Sequence, residues 1–139
     1  MPVAAMKKLS EDVWVAGQIL PGDVAAVAAA GVRTIVNNRP DHEEPGQPLG
    51  ADIEAATTAV GLGYRHIPVA GGFSPAQVEA MAEALEAGPV LAFCKSGTRS
   101  TYLWALSESG RGVPSAELLE AAAGAGYDLR PILPYLGGG

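Results

Sequence analysis

The sequence predicts a three-layer α/β domain, with a mainly parallel sheet of four or five strands flanked by helices. Three observations carry this expectation. Strand-like runs rich in β-branched residues alternate with helix-like runs along the chain. Each intervening segment is long enough to carry the chain back and lay the next strand parallel to the last. With 139 residues, 48% hydrophobic and 17% charged, the chain has the apolar material for one domain over residues 1–139 and no room for a second.

Val13-Trp14-Val15-Ala16 reads as a short edge strand, with Trp14 as core or edge cover. Pro21-Gly22-Asp23 opens an alanine-rich helix that stops at Gly31, a residue suited to a helix C′ position. Residues 32–37 form the next strand, followed over 38–50 by a polar loop with three prolines and a dense charge run, Arg39, Asp41, His42, Glu43 and Glu44. A helix over 51–60 places Ile53, Thr57 and Val60 on one side, and residues 64–69 form another strand. Ser74-Pro75-Ala76-Gln77 then combines a Ser N-cap, a Pro at the first helical position and a Gln completing a capping box. In the helix it opens, Val78, Met81, Ala82 and Leu85 make one apolar stripe while Glu79, Glu83 and Glu86 face water. Residues 89–93 are the central strand. A helix over 99–109 buries Leu103, Leu106 and Tyr102, Val113-Pro114-Ser115 opens another to about Gly124, and residues 128–136 give a final short helix. Residues 137–139, all glycine, are expected to be a disordered tail.

Ligands of such a sheet bind beyond the C-terminal ends of its strands, where residues 38–50, 70–74 and 94–99 lie. The third segment holds the only cysteine, in Phe93-Cys94-Lys95-Ser96-Gly97-Thr98-Arg99-Ser100. There a buried strand turns into a helix N-terminus, so loop N–H groups and the helix dipole converge on an anion. Dipole, amides and Arg99 all favour the thiolate of Cys94, which makes it the candidate nucleophile. Gly97 suits a loop with unusual backbone angles, and Arg99 offers a planar fork of donors to phosphate, sulfate or thiosulfate. Lys95, Ser96, Gly97, Thr98, Arg99 and Ser100 are the candidate anion-binding residues. The bland alternative is that Cys94 is a small buried hydrophobe at a strand end.

This strand–loop–helix resembles two families. Tyrosine and dual-specificity phosphatases carry His-Cys, five intervening residues, then Arg and Ser or Thr. Rhodanese sulfurtransferases have four residues between Cys and a closing Arg or Thr, as between Cys94 and Arg99 here. Val15-Ala16-Gly17-Gln18, Ile35-Val36-Asn37-Asn38-Arg39-Pro40-Asp41 and Tyr64-Arg65-His66-Ile67-Pro68-Val69, in that order before the loop, resemble the phosphatase side. Together they are most similar to a small bacterial family of beta-lactamase-hydrolase-like phosphatase domains, a domain of unknown function, some members of which are joined to persulfide-oxidising enzymes. The resemblance implies a dual-specificity-phosphatase-like fold. It also implies a general-acid Asp in the loop after the 64–69 strand, where Ala70-Gly71-Gly72-Phe73 holds no acid. Asp41 could substitute, with Glu43 and Glu44 behind it, unless these are only a solvated loop and a turn residue. Phe93 stands where the phosphatases place a histidine. Ser100 is expected either to hydrogen-bond the sulfur or to serve as a first-turn helix residue.

The four-residue spacing, the missing acid and Phe93 favour sulfur transfer. In that reading Cys94 takes sulfur from thiosulfate or a persulfide and passes it to a thiol such as glutathione, or to cyanide. A phosphatase working through a Cys94 phosphoenzyme is the alternative. A non-catalytic anion-binding module, with Cys94 as an exposed redox sensor, is the third reading. No cofactor motif is present, and adjacent Asp41, His42, Glu43 and Glu44 on an extended loop do not make a metal site. His66 reads as a satisfied sheet or surface histidine. The formal net charge of −6 argues against nucleic acid or an anionic membrane as partner. No apolar run is long enough to span a bilayer, no signal peptide is evident, and a lone free thiol suits the cytoplasm.

Overall fold

The computed structural model describes residues 5–137. Its strands are β1 (Lys7–Ser10), β2 (Val13–Ala16), β3 (Thr34–Asn37), β4 (Gly63–His66) and β5 (Val90–Phe93). They form one sheet in the order β1-β2-β5-β3-β4. β2, β5, β3 and β4 run parallel, and β1 joins antiparallel to β2 with an irregular register between Lys8 and Ser10. The expected three-layer, mainly parallel sheet is therefore present, at five strands.

The helices are α1 (Val24–Ala29), entered through a 3-10 turn at Pro21–Asp23, α2 (Gly50–Ala59), α3 (Pro75–Glu86), α4 (Thr98–Gly110) and α5 (Ser115–Gly124), with a closing 3-10 helix at Arg130–Tyr135. Side chains alternate between the two faces of a strand, so each central strand feeds two cores. Val90 and Ala92 of β5 pack with Met81 and Ala84 of α3, Leu103 of α4 and Leu118 of α5. Leu91 and Phe93 pack on the other face with Val24 and Val27 of α1 and Ile53 of α2. All four β5 residues are buried, as an inner strand covered on both faces requires.

Three expectations change. Val13–Ala16 is not an edge: β1 covers it, and β1 and β4 are the outer strands. The strand expected over 64–69 ends its regular pairing at His66, although the Ile67 and Val69 N–H groups still donate to Asn37 and Asn38. On α2, Ile53 and Thr57 are buried but Val60 is 43% exposed, because the helix has ended and the chain is turning. The α3 start is as expected: Ser74 Oγ accepts the Gln77 N–H and the Gln77 side chain accepts the Ser74 N–H. Trp14 is half-buried under Lys8, whose Nζ lies 5.8 Å from the ring centre. Of the glycine tail, Gly137 donates its N–H to Ser109 Oγ at 2.6 Å, and residues 138–139 lie outside the described residues. No helix among the described residues is long and apolar enough to cross a membrane.

Candidate active site

The C-terminal ends of β2, β5 and β3 hold the cysteine loop by main-chain bonds. Cys94 N–H donates to Ala16 O, Gln18 N–H to Lys95 O, and Asn38 N–H to Phe93 O at 2.8 Å. Cys94 thus leaves the sheet between two strand ends that fix its direction. Phe93, where a loop-orienting histidine was the comparison, is wholly buried on the α1–α2 side.

Gly97 has φ +92° and is the N-cap of α4. This left-handed angle lets the chain reverse so that the Gly97 N–H points back to Cys94 Sγ, 3.1 Å away. The Gly97 carbonyl receives both the N–H and the hydroxyl of Thr101. Sulfur, loop amide and helix N-terminus therefore meet at one point.

Arg99 enters from the first turn of α4. Its Nη1 donates to Val69 O at 2.8 Å and to Glu43 Oε2 at 2.7 Å, and Nη2 to Glu43 Oε1 at 2.9 Å. The bidentate contact with Glu43, then the negative sulfur of Cys94 acting against burial, raises the Arg99 guanidinium further above its usual range. Glu43 answers in the opposite sense. The Arg99 hydrogen bond, with Arg39 adding to it against a desolvation penalty, holds its carboxyl down at about 2.

Arg39 is the hub of the acidic loop. Its side chain is 4% exposed and donates to Glu43 Oε1 (2.8 Å), Glu44 Oε1 (2.6 Å) and Gln18 Oε1 (3.0 Å). Glu44 also faces Lys95 Nζ at 3.5 Å, and both cations lower its carboxyl, Arg39 first. The structure thus brings the 38–50 loop over the cysteine loop.

The other candidates fall as follows. Ser96 Oγ and Thr98 Oγ1 are 3.0 Å apart on the exposed rim, beside the 60%-exposed Lys95. Ser100 is buried, and its hydroxyl donates to Asn38 Oδ1 at 2.8 Å, while Asn38 Nδ2 donates to Ile67 O. Asp41 Oδ1 accepts the Gly50 N–H at 2.7 Å, satisfying a first-turn donor of α2. His66 Nε2 is 3.0 Å from Arg39 O and is satisfied at the sheet edge, as read from the sequence. Cys94 is 1% exposed, so the exposure assumed by the redox-sensor reading is absent from this conformation. Sequence reasoning missed Gln18, Asn38 and Arg39 as parts of the site, although all three lie in the motif blocks before the loop. It also missed Tyr127, whose hydroxyl donates to Ser96 O at 3.0 Å.

Comparison with known proteins fits this geometry. The model of a family described as beta-lactamase hydrolase-like protein, phosphatase-like domain, matches residues 5–111. A beta-lactamase hydrolase-like protein of Agrobacterium fabrum is 38% identical over 128 residues, covering 88% of this chain and 29% of its own length. The chain thus spans about three tenths of that curated relative. A candidate phosphatase from Neisseria meningitidis, solved as a crystal structure, is 33% identical with TM-score 0.83, covering 96% of both chains. P. aeruginosa TpbA, crystallised with phosphotyrosine, shares the fold at 20% identity and TM-score 0.66, covering 96% of this chain and 83% of its own. The fold is that of the dual-specificity and tyrosine phosphatases. These relatives and neighbours overturn the sulfurtransferase reading, and with it thiosulfate, persulfide and glutathione as substrates. The count of residues between Cys94 and Arg99 misled because it measures chain length rather than donor direction. Gly97, in the left-handed region, is the N-cap of α4, which starts at Thr98 and so carries Arg99 in its first turn.

Proposed function

This chain belongs to the family of beta-lactamase hydrolase-like phosphatase domains, and from that premise we propose that it is a cysteine-dependent phosphatase acting on phosphate monoesters, with residues 1–139 as one domain. The observation that carries the reading is the meeting of the Cys94 sulfur and the Gly97 N–H, 3.1 Å apart at the end of the central strand, with Arg99 in the first turn of the helix that follows. An acid is missing from the 70–73 loop, Asp41 is occupied at the start of α2, and Glu43 is held ionised by arginines. The assigned substrates are accordingly aryl phosphates, whose leaving groups need little protonation.

The Cys94 thiolate attacks phosphorus, an S–P bond forms as the ester P–O bond breaks, and the aryl oxide leaves and takes a proton from solvent. Arg99 and loop N–H groups other than that of Gly97, which serves the sulfur, hold the non-bridging oxygens, which carry the charge. Water then attacks the phosphocysteine, releasing inorganic phosphate and restoring the thiolate. Lys95 adds positive charge at the mouth, and Ser100 steadies the first turn of α4 through Asn38. A free thiol with this task fits the reducing cytoplasm.

The test is turnover of an aryl phosphate with mass detection of a phosphoryl group on Cys94 after rapid quenching. Cys94→Ser should abolish turnover. Arg99→Lys should weaken inorganic phosphate binding about tenfold or more although the charge is kept, because the planar fork is lost. Failure of the unaltered protein to turn over aryl phosphates would remove the reading.

A further inference from the structure

Tyr127 lies beyond the residues matched by the family model and 33 positions after Cys94, yet its hydroxyl reaches the cysteine loop. Its placement is built into the end of α5. Gly126, at φ +94°, donates to Ala123 O, and the Tyr127 N–H donates to Ala122 O at 2.8 Å. These are the two bonds of a Schellman motif, which close the helix and throw the Tyr127 ring back over the loop. The ring packs against the α3–α4–α5 core and its hydroxyl donates to Ser96 O at 3.0 Å. A side chain at Gly97 would collide with that hydroxyl and lie 2.9 Å from Tyr127 Cζ.

The Ser96 carbonyl and the Gly97 N–H belong to one planar trans peptide, so they point in opposite directions. Whatever fixes the carbonyl on one side fixes the N–H on the other. Tyr127 grips the carbonyl, and the N–H on the far side of the same plane meets Cys94 Sγ at 3.1 Å. We propose that Tyr127 is a positioning residue of the active site: by holding the Ser96 carbonyl, it aims the Gly97 N–H at the sulfur of Cys94 and so stabilises the thiolate. Burial, and then the negative sulfur nearby, raises the Tyr127 phenol above its ordinary range, so it remains a donor at neutral pH. The proposal deepens the phosphatase reading, in which that thiolate is the nucleophile.

The test is Tyr127→Phe, which removes the hydroxyl and keeps the ring. The chain has one cysteine, so ultraviolet thiolate absorbance, followed against pH below the range where the tyrosines ionise and referenced to a Cys94→Ser protein, reports Cys94 alone. The midpoint should move up by about one pH unit, the size expected for weakening one hydrogen bond to a charged acceptor. As a second measurement, the NMR shift of the Gly97 amide proton should follow the sulfur titration in the unaltered protein and follow it much less in the variant. Thermal unfolding checks that both proteins are folded where these readings are taken. Tyr135→Phe, at a 75%-exposed tyrosine, should move neither reading. An unmoved midpoint and an unchanged Gly97 response in Tyr127→Phe would overturn the proposal. Neither readout uses a substrate, so a shifted midpoint in a protein that leaves aryl phosphates untouched would support Tyr127 while removing the phosphatase reading.

Discussion

Asp41 holds one carboxylate oxygen 2.7 Å from the Gly50 N–H, so it satisfies an orphan donor in the first turn of α2 from the loop before it. Asp41→Asn keeps an acceptor oxygen, so stability should change by less than about 1 kcal/mol in denaturant unfolding. Hydrolysis of aryl and alkyl phosphates should fall by the same small factor. A selective loss on esters with poor leaving groups would instead make Asp41 the proton donor. At this scale the sequence reads well where contacts are local: Cys94 and Gly97 fall within four consecutive residues and meet through one N–H. It reads poorly where partners are remote. Ser100 meets Asn38 across 62 positions, and Arg99 meets Glu43 across 56. Nothing in the spacing of Tyr127 marks a residue that touches the loop.

Among the elements, α3 is the most firmly written. The Ser74–Gln77 box satisfies two orphan N–H groups, and Gln77 Nε2 also donates to Pro68 O, tying the helix start to the chain leaving β4. Ser74→Ala should therefore lower unfolding stability by about 1 kcal/mol and leave aryl phosphatase activity little changed. A loss below a few tenths would show that the box adds nothing to the folded state. β1 is the opposite case. Of Lys7, Lys8, Leu9 and Ser10 only Leu9 is buried, so four residues carry one inward apolar side chain and no alternation to recognise. Its pairing with β2 exists in space rather than in pattern. Covering β2 places β5 third of five strands, with Cys94 at its inner end.

Taken whole, the molecule is an acid carrying a formal charge of −6, yet the proposed substrates are anions, so attraction has to be local. The cations at the site are Arg99, Arg39 and Lys95, and all three face Glu43 or Glu44 from the 38–50 loop. Glu43 is an anion tethered beside Arg99, present at an effective concentration that no free ligand in solution readily matches. A phosphate ester bound at Arg99, as proposed, would have to compete with it, and its apparent affinity would be the intrinsic affinity scaled by the fraction of time Arg99 is unoccupied. Glu43→Gln should tighten inhibition by inorganic phosphate roughly five- to tenfold, while an unchanged or weaker inhibition constant would mean that Glu43 does not compete. Acid should open the same contact only far from neutrality. The Glu43 carboxyl is depressed from 4.5 to about 2, so its pairing is complete above 4.5 and is lost as pH falls through about 2. At neutral pH, therefore, the tethered anion would yield to a phosphate ester by mass action and not by protonation.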